Sequence, residues 1–179
     1  MLHYTSNFSI MPSDTTLELW SRFKLVKWVA SLDGVGERFS FLRWPYQFQN
    51  LQKFVTQAKT CVPGNVMFGA EHTINVLNAF YFDEFEQWFN QQLATNQSGD
   101  ASDLNLHPCW GTMSLNHMPE SLRERIKQKF GPNHTIVRMI EQHPYSGSTD
   151  QLTQYLDQLD SLRKQSWRTT FAEIQEYFS

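Results

Sequence analysis

Short apolar runs alternate with helically spaced apolar positions along this chain of 179 residues. Leu2 to Thr5 reads as a short strand. Pro12-Ser13 then opens a helix in which Leu17, Trp20 and Phe23 recur at helical spacing. Val26 to Leu32 (VKWVASL) predicts a second strand, ending in the polar, glycine-bearing turn Asp33-Gly34-Val35-Gly36. A helix is predicted over 47–59, with Phe48, Leu51, Val55 and Ala58 on one face, and Pro63-Gly64-Asn65 breaks it. Val66 to Ile74 (VMFGAEHTI) predicts a third strand. The helix predicted over 80–93 carries Tyr81, Phe85, Trp88 and Phe89 on one side, with Asp83 and Glu84 near its positive end. A polar loop, Thr95 to Asp103, leads to a shorter fourth strand, Leu104 to Cys109. Pro119 starts a further helix at the first helical position, where its missing N–H costs nothing. Gln151 to Arg163 is amphipathic, and Thr170-x-x-Glu173 has the form of a capping box opening a last helix.

Strand–helix alternation at these spacings predicts right-handed βαβ units, a mainly parallel sheet and an α/β fold. Composition narrows the class. Apolar residues make up 40%, aromatics 15% and charged residues 18%, which excludes a disordered chain. Lys+Arg number 15 against 18 Asp+Glu, so no basic excess points to nucleic acid or an anionic membrane. No apolar run approaches the ~18 residues of a membrane span. The N-terminus lacks a basic region followed by an apolar stretch, so no signal peptide is expected and the protein reads as cytoplasmic. Cys61 and Cys109 form no C-x-x-C pair, which excludes a zinc ribbon or a dithiol motif. Two thiols in a reduced cytosol are expected in preference to one disulfide.

Parallel sheets carry their sites at the carboxyl ends of the strands. The first strand ends in Thr5-Ser6-Asn7. The second ends in Ser31-Leu32-Asp33-Gly34, with Arg43 ten residues past Asp33. The third ends near His72 and the fourth near Trp110. A hydroxyl, a carboxylate, an amide and a guanidinium on one rim suit a ligand with hydroxyls to accept and a carboxylate to grip. Gly34-Val35-Gly36 fails as a dinucleotide fingerprint, because its third glycine position is Phe39.

The stretch Ser31-Leu32-Asp33-Gly34-Val35-Gly36-Glu37-Arg38-Phe39, followed by Phe41-Leu42-Arg43-Trp44-Pro45, resembles the fourth strand and following loop of radical S-adenosylmethionine (SAM) enzymes. Tyr4-Thr5-Ser6-Asn7 resembles the end of that family's third strand. Glu71 to Asn78 resembles its fifth strand. Leu106-His107-Pro108-Cys109-Trp110 with Met118-Pro119-Glu120 resembles its sixth, and the tail resembles the twitch-domain subgroup. The resemblance implies a partial (β/α) barrel over 1–145 with its first strands missing, and a helical extension over 146–179 packing on the same domain.

It also implies site roles. Ser31 would contact the SAM ribose, Asp33 would hold the loop or the ribose edge, Arg43 would pair with the methionine carboxylate, and Asn7 would sit at the rim. His72 and Trp110 are weak candidates for substrate contact. The family's C-x-x-x-C-x-x-C motif, which holds a 4Fe-4S cluster, is absent, and so is its G-G-E-P segment. The cluster would need ligands from a missing N-terminal segment or a second polypeptide completing the barrel. No catalytic residue is assigned. The reading is therefore the C-terminal part of a radical SAM protein acting on a peptide or small metabolite, not competent alone. The alternative is a non-catalytic half-barrel that binds or scaffolds.

Plainer readings stand beside these. Asp33-Gly34 is a common turn pair, Arg43 beside Trp44 suits a surface cation–π pair, and Asn7 suits a turn. His72 between apolar neighbours suits an interior histidine.

Overall fold

A computed structural model describes residues 1–93 and 103–178. Four strands, β1 (Leu2–Ser6), β2 (Val26–Ser31), β3 (Val66–Ile74) and β4 (Leu104–Pro108), form one sheet in the order β1-β2-β3-β4. β1 pairs parallel with β2, and β2 with β3. Helices α1 (Asp14–Ser21), α2 (Gly36–Leu42), α3 (Phe48–Cys61) and α4 (Phe82–Gln92) occupy the connections. After β4 come α5 (Glu120–Phe130), α6 (Thr135–Glu141), α7 (Thr149–Arg163) and α8 (Trp167–Thr170). The fold is thus α/β, with a parallel four-stranded sheet alternating with helices. Among the described residues no helix is long and apolar enough to cross a membrane. Cys61 and Cys109 are both free thiols.

The strands lie where the apolar runs predict them. Two helices, α2 and α6, have no counterpart in the sequence pattern. Each has seven residues, too few for a repeating apolar spacing to stand out. Two boundaries also differ. Pro119 is the N-cap of α5, one position before the helix proper. The expected capping box at Thr170 is not a helix start, because Thr170 ends α8. Ser166 caps α8 instead, its hydroxyl accepting the Thr169 N–H, and a short 3-10 turn over Gln175–Phe178 follows. The polar loop expected over 95–103 falls, apart from Asp103, outside the described residues.

The chain gathers into two compact units, one of Met1–His72 and Asp83–Leu106, the other of Thr73–Phe82 and His107–Ser179. In the first, Tyr4, Trp28 and Phe68 stand in register on adjacent strands and so share one face. Trp20 of α1 and Phe54 of α3 close over them. The Trp28 ring lies 5.1 Å from Trp20, 5.6 Å from Phe54 and 5.9 Å from Phe68. Phe8 completes the layer at 4.7 Å from Trp28. Phe8 has φ +53°, an uncommon value for a residue with a side chain. Its full burial and the Tyr46 hydroxyl, which donates to its carbonyl at 2.6 Å, offset that cost. β1 lies at the edge of the sheet, and none of its residues is buried.

The second unit is built around a buried cation. Arg123 of α5 is only 7% exposed. Its Nε donates to the Met118 carbonyl (2.9 Å), Nη1 to Ile140 (2.9 Å), and Nη2 to Leu115 and His143. Burial lowers its pKa, and Glu120 opposes that shift. One side chain thereby ties the start of α5 to the end of α6. Nearby, His117 Nδ1 accepts the Ser148 N–H at 3.0 Å. Gly147 lies so close that a Cβ there would meet the His117 ring at 2.4 Å. Tyr81 donates to Glu173 at 2.6 Å, anchoring the tail.

Arg123→Ala strands four carbonyls, three of them in buried hydrogen bonds, so we expect a loss of roughly 3 kcal/mol or more, with Arg123→Lys recovering only part, read by denaturant unfolding. A loss under about 1 kcal/mol would contradict the staple role. The exposed β1 edge generates a second expectation, since such edges invite pairing. The 179-residue chain purified by itself should self-associate in light scattering, and a monodisperse monomer would count against it.

Candidate functional site

The β2 strand delivers Ser31 to its carboxyl end, and the chain then turns through Leu32 to Gly36. Gly36, at φ +58°, takes a left-handed backbone that glycine adopts without cost, and there the chain enters α2. Arg43 caps the far end of α2, its N–H bonded to the Phe39 carbonyl at 2.8 Å. The short helix thus folds Arg43 back beside the strand end. Arg43 Nε lies 2.6 Å from Asp33 Oδ2, with the two side chains 28% and 14% exposed. The carboxylate is not aligned for a hydrogen bond with the Nε–H, so the contact is an ion pair. Beyond it, Arg38 pairs with Glu84 at 2.6 Å.

His72 is fully buried on β3, its ring 4.0 Å from that of Phe85 of α4. Burial first, and then the positive charge of Arg43, pushes its pKa down to about 3. A hydrogen bond to the Leu32 backbone works in the other direction. The imidazole is therefore neutral at physiological pH.

The structure thus brings Asp33 and Arg43 together, with His72 within electrostatic reach. Ser31 precedes them by two residues on the same strand end. Asn7 follows the last β1–β2 rung, Ser6 against Ala30. It is exposed, and its Oδ1 accepts from the Ser9 N–H (3.2 Å) and the Ser9 hydroxyl (2.6 Å), which closes a local turn. Trp110 belongs to the other compact unit, is 81% exposed and meets His143 edge-on at 6.3 Å. Glu71, opposite Ser31 in the β2–β3 register, and Asn105 on the next strand are polar residues that the sequence pattern does not mark. The signal that finds them is strand register, which a single sequence does not print.

Among the described residues no group of three or more His, Cys, Asp or Glu side chains could hold a metal ion. Comparison with family models, with curated proteins and with solved structures finds no match.

The buried His72 generates a pH prediction. Its folded pKa lies below the unfolded value of 6.5, so the unfolded chain binds more protons between pH 6.5 and about 3. The neutral ring's contribution is intact above pH 6.5. Stability should fall by about 1.4 kcal/mol per pH unit as pH drops through that window. Urea unfolding at several pH values should show this slope, and His72→Asn should flatten it. An unchanged slope in the variant would assign it to other groups.

Proposed function

We propose that the carboxyl-end rim of the first unit binds S-adenosylmethionine, and that the chain is the C-terminal part of a cytoplasmic radical SAM protein acting on a peptide or small metabolite. In this reading the parallel sheet is part of a (β/α) barrel that a second polypeptide or further segment completes. The observation that carries it is the placement of Arg43. Asp33 contacts the guanidinium at its Nε edge, and no described residue hydrogen-bonds its two terminal amino groups. Those amino groups form the planar two-pronged edge that suits a carboxylate. Asp33 takes the loop-holding role that the resemblance implies.

The residues of this chain do not fit the family's iron–sulfur cluster. A cluster that leaves one iron open needs three thiolates, and the chain has two cysteines. No step is therefore routed through a cluster, and this chain's part is to bind and orient the cofactor. The cysteine count is also what favours the second reading, a non-catalytic half-barrel that retains a binding rim.

Calorimetry on the purified chain tests the reading. S-adenosylmethionine should bind with a Kd below ~1 mM, a free energy beyond ~4 kcal/mol. Arg43→Ala should weaken it at least tenfold, about 1.4 kcal/mol. Absent binding, or equal affinity in the variant, would overturn the proposal.

A further inference from the structure

A cavity of about 230 Å3 lies between α5 and α6 in the second unit. Its α5 wall is Glu120, Arg123, Glu124 and Lys127, which recur at one-turn spacing and so share a helix face. Opposite stand Val137 and Ile140 of α6, and the chain leaves that helix past Pro144 and Tyr145. Val137 is 2%, Ile140 4% and Arg123 7% exposed, so these three make the floor. Glu120, Glu124 and Tyr145 are exposed and make the mouth. The Arg123 hydrogen bonds that tie α5 to α6 hold the floor in place. An apolar cavity of about 150 Å3 takes up benzene. This one therefore has room for an aromatic ring with a short arm.

The floor favours a ring. A guanidinium has five N–H donors, and four hydrogen bonds from Arg123 to carbonyls leave one, on Nη1, without an acceptor among the described residues. An aromatic face attracts a guanidinium and can accept its N–H, whereas an alkyl body does neither. Val137 and Ile140 supply apolar contact on the same floor.

The mouth decides the charge. Lys127 lies 3.5 Å from Glu141 and is thereby paired. Glu120 meets only Arg123 Nε, at 4.0 Å, and Glu124 has no hydrogen-bond or ion-pair partner among the described residues. Two like charges one turn apart on a helix repel. An anionic ligand would add to that repulsion, and a neutral one would leave it standing. A cation on the floor would meet the buried charge of Arg123, but at the mouth it answers both carboxylates. We propose that the α5–α6 cavity binds a small aromatic amine, with its ring on the floor and its ammonium at the mouth between Glu120 and Glu124. This site goes beyond the S-adenosylmethionine reading and does not rest on it.

The test is an NMR titration of the full 15N-labelled chain with three probes of similar size. Phenethylamine carries both the ring and the charge, 2-phenylethanol the ring alone, and 2-cyclohexylethylamine the charge alone. Phenethylamine should bind with a Kd of ~1 mM or tighter, with shifts concentrated in α5, α6 and Tyr145. The other two should bind roughly fivefold more weakly, and added salt should weaken phenethylamine while leaving 2-phenylethanol unchanged. Glu120→Gln/Glu124→Gln, which alters only exposed side chains, should bring phenethylamine down to the affinity of 2-phenylethanol. Phenethylamine shifts spread over other faces, equal binding of the three probes, or unchanged affinity in the double variant would overturn the site.

Discussion

Trp28 decides which side of the sheet is inside. Its ring is surrounded by Phe8, Trp20, Phe54 and Phe68, contributed by a loop, two helices and a neighbouring strand. Aromatic pairs of this kind add roughly 0.5–1.5 kcal/mol each beyond the area they bury. Side chains alternate along a strand, so fixing Trp28 inward turns Lys27, Val29 and Ser31 to the opposite face. Register with β3 then puts Ser31 beside Glu71. A slip of one residue would bury Ser31 and expose Trp28. The polar rim is therefore a consequence of the aromatic layer.

The second unit solves a different problem. The turns and helix ends around α5 and α6 leave carbonyls that no helix turn satisfies. Arg123 satisfies four carbonyls at once, which makes a buried cation tolerable and fixes α5 against α6. The apolar contacts beneath, Leu122, Ile126, Ile136, Val137 and Ile140, are all buried. Specific hydrogen bonding sets the geometry there, while ring packing sets it in the first unit.

Much of this was legible in the sequence. A nine-residue stretch with five apolar side chains marked β3 from end to end, because buried parallel strands read as near-continuous apolar runs. Ser13 before α1 and Asp33-Gly34 after β2 were visible as a cap and a turn. Short helices such as α2 were not, and α2 is what carries Arg43 back to Asp33. Thr170 misled because Ser166, four residues earlier, has the same capping chemistry and captures the Thr169 N–H. Glu71 and Asn105 stayed silent because their meaning is relational. Each is an ordinary strand residue until register places Glu71 beside Ser31 and Asn105 beside Glu71.

The proposed ligand rim at the carboxyl end of β2 rests on Ser31, Asp33 and Arg43 standing together there. The most direct measurement is an amide-resolved NMR titration of the 15N-labelled chain with S-adenosylmethionine. Shifts concentrated at Ser31 to Gly34 and Arg43, with the α5–α6 region unmoved, are the expected result. Saturating ligand that leaves those strand ends unperturbed, or shifts concentrated elsewhere, would contradict it.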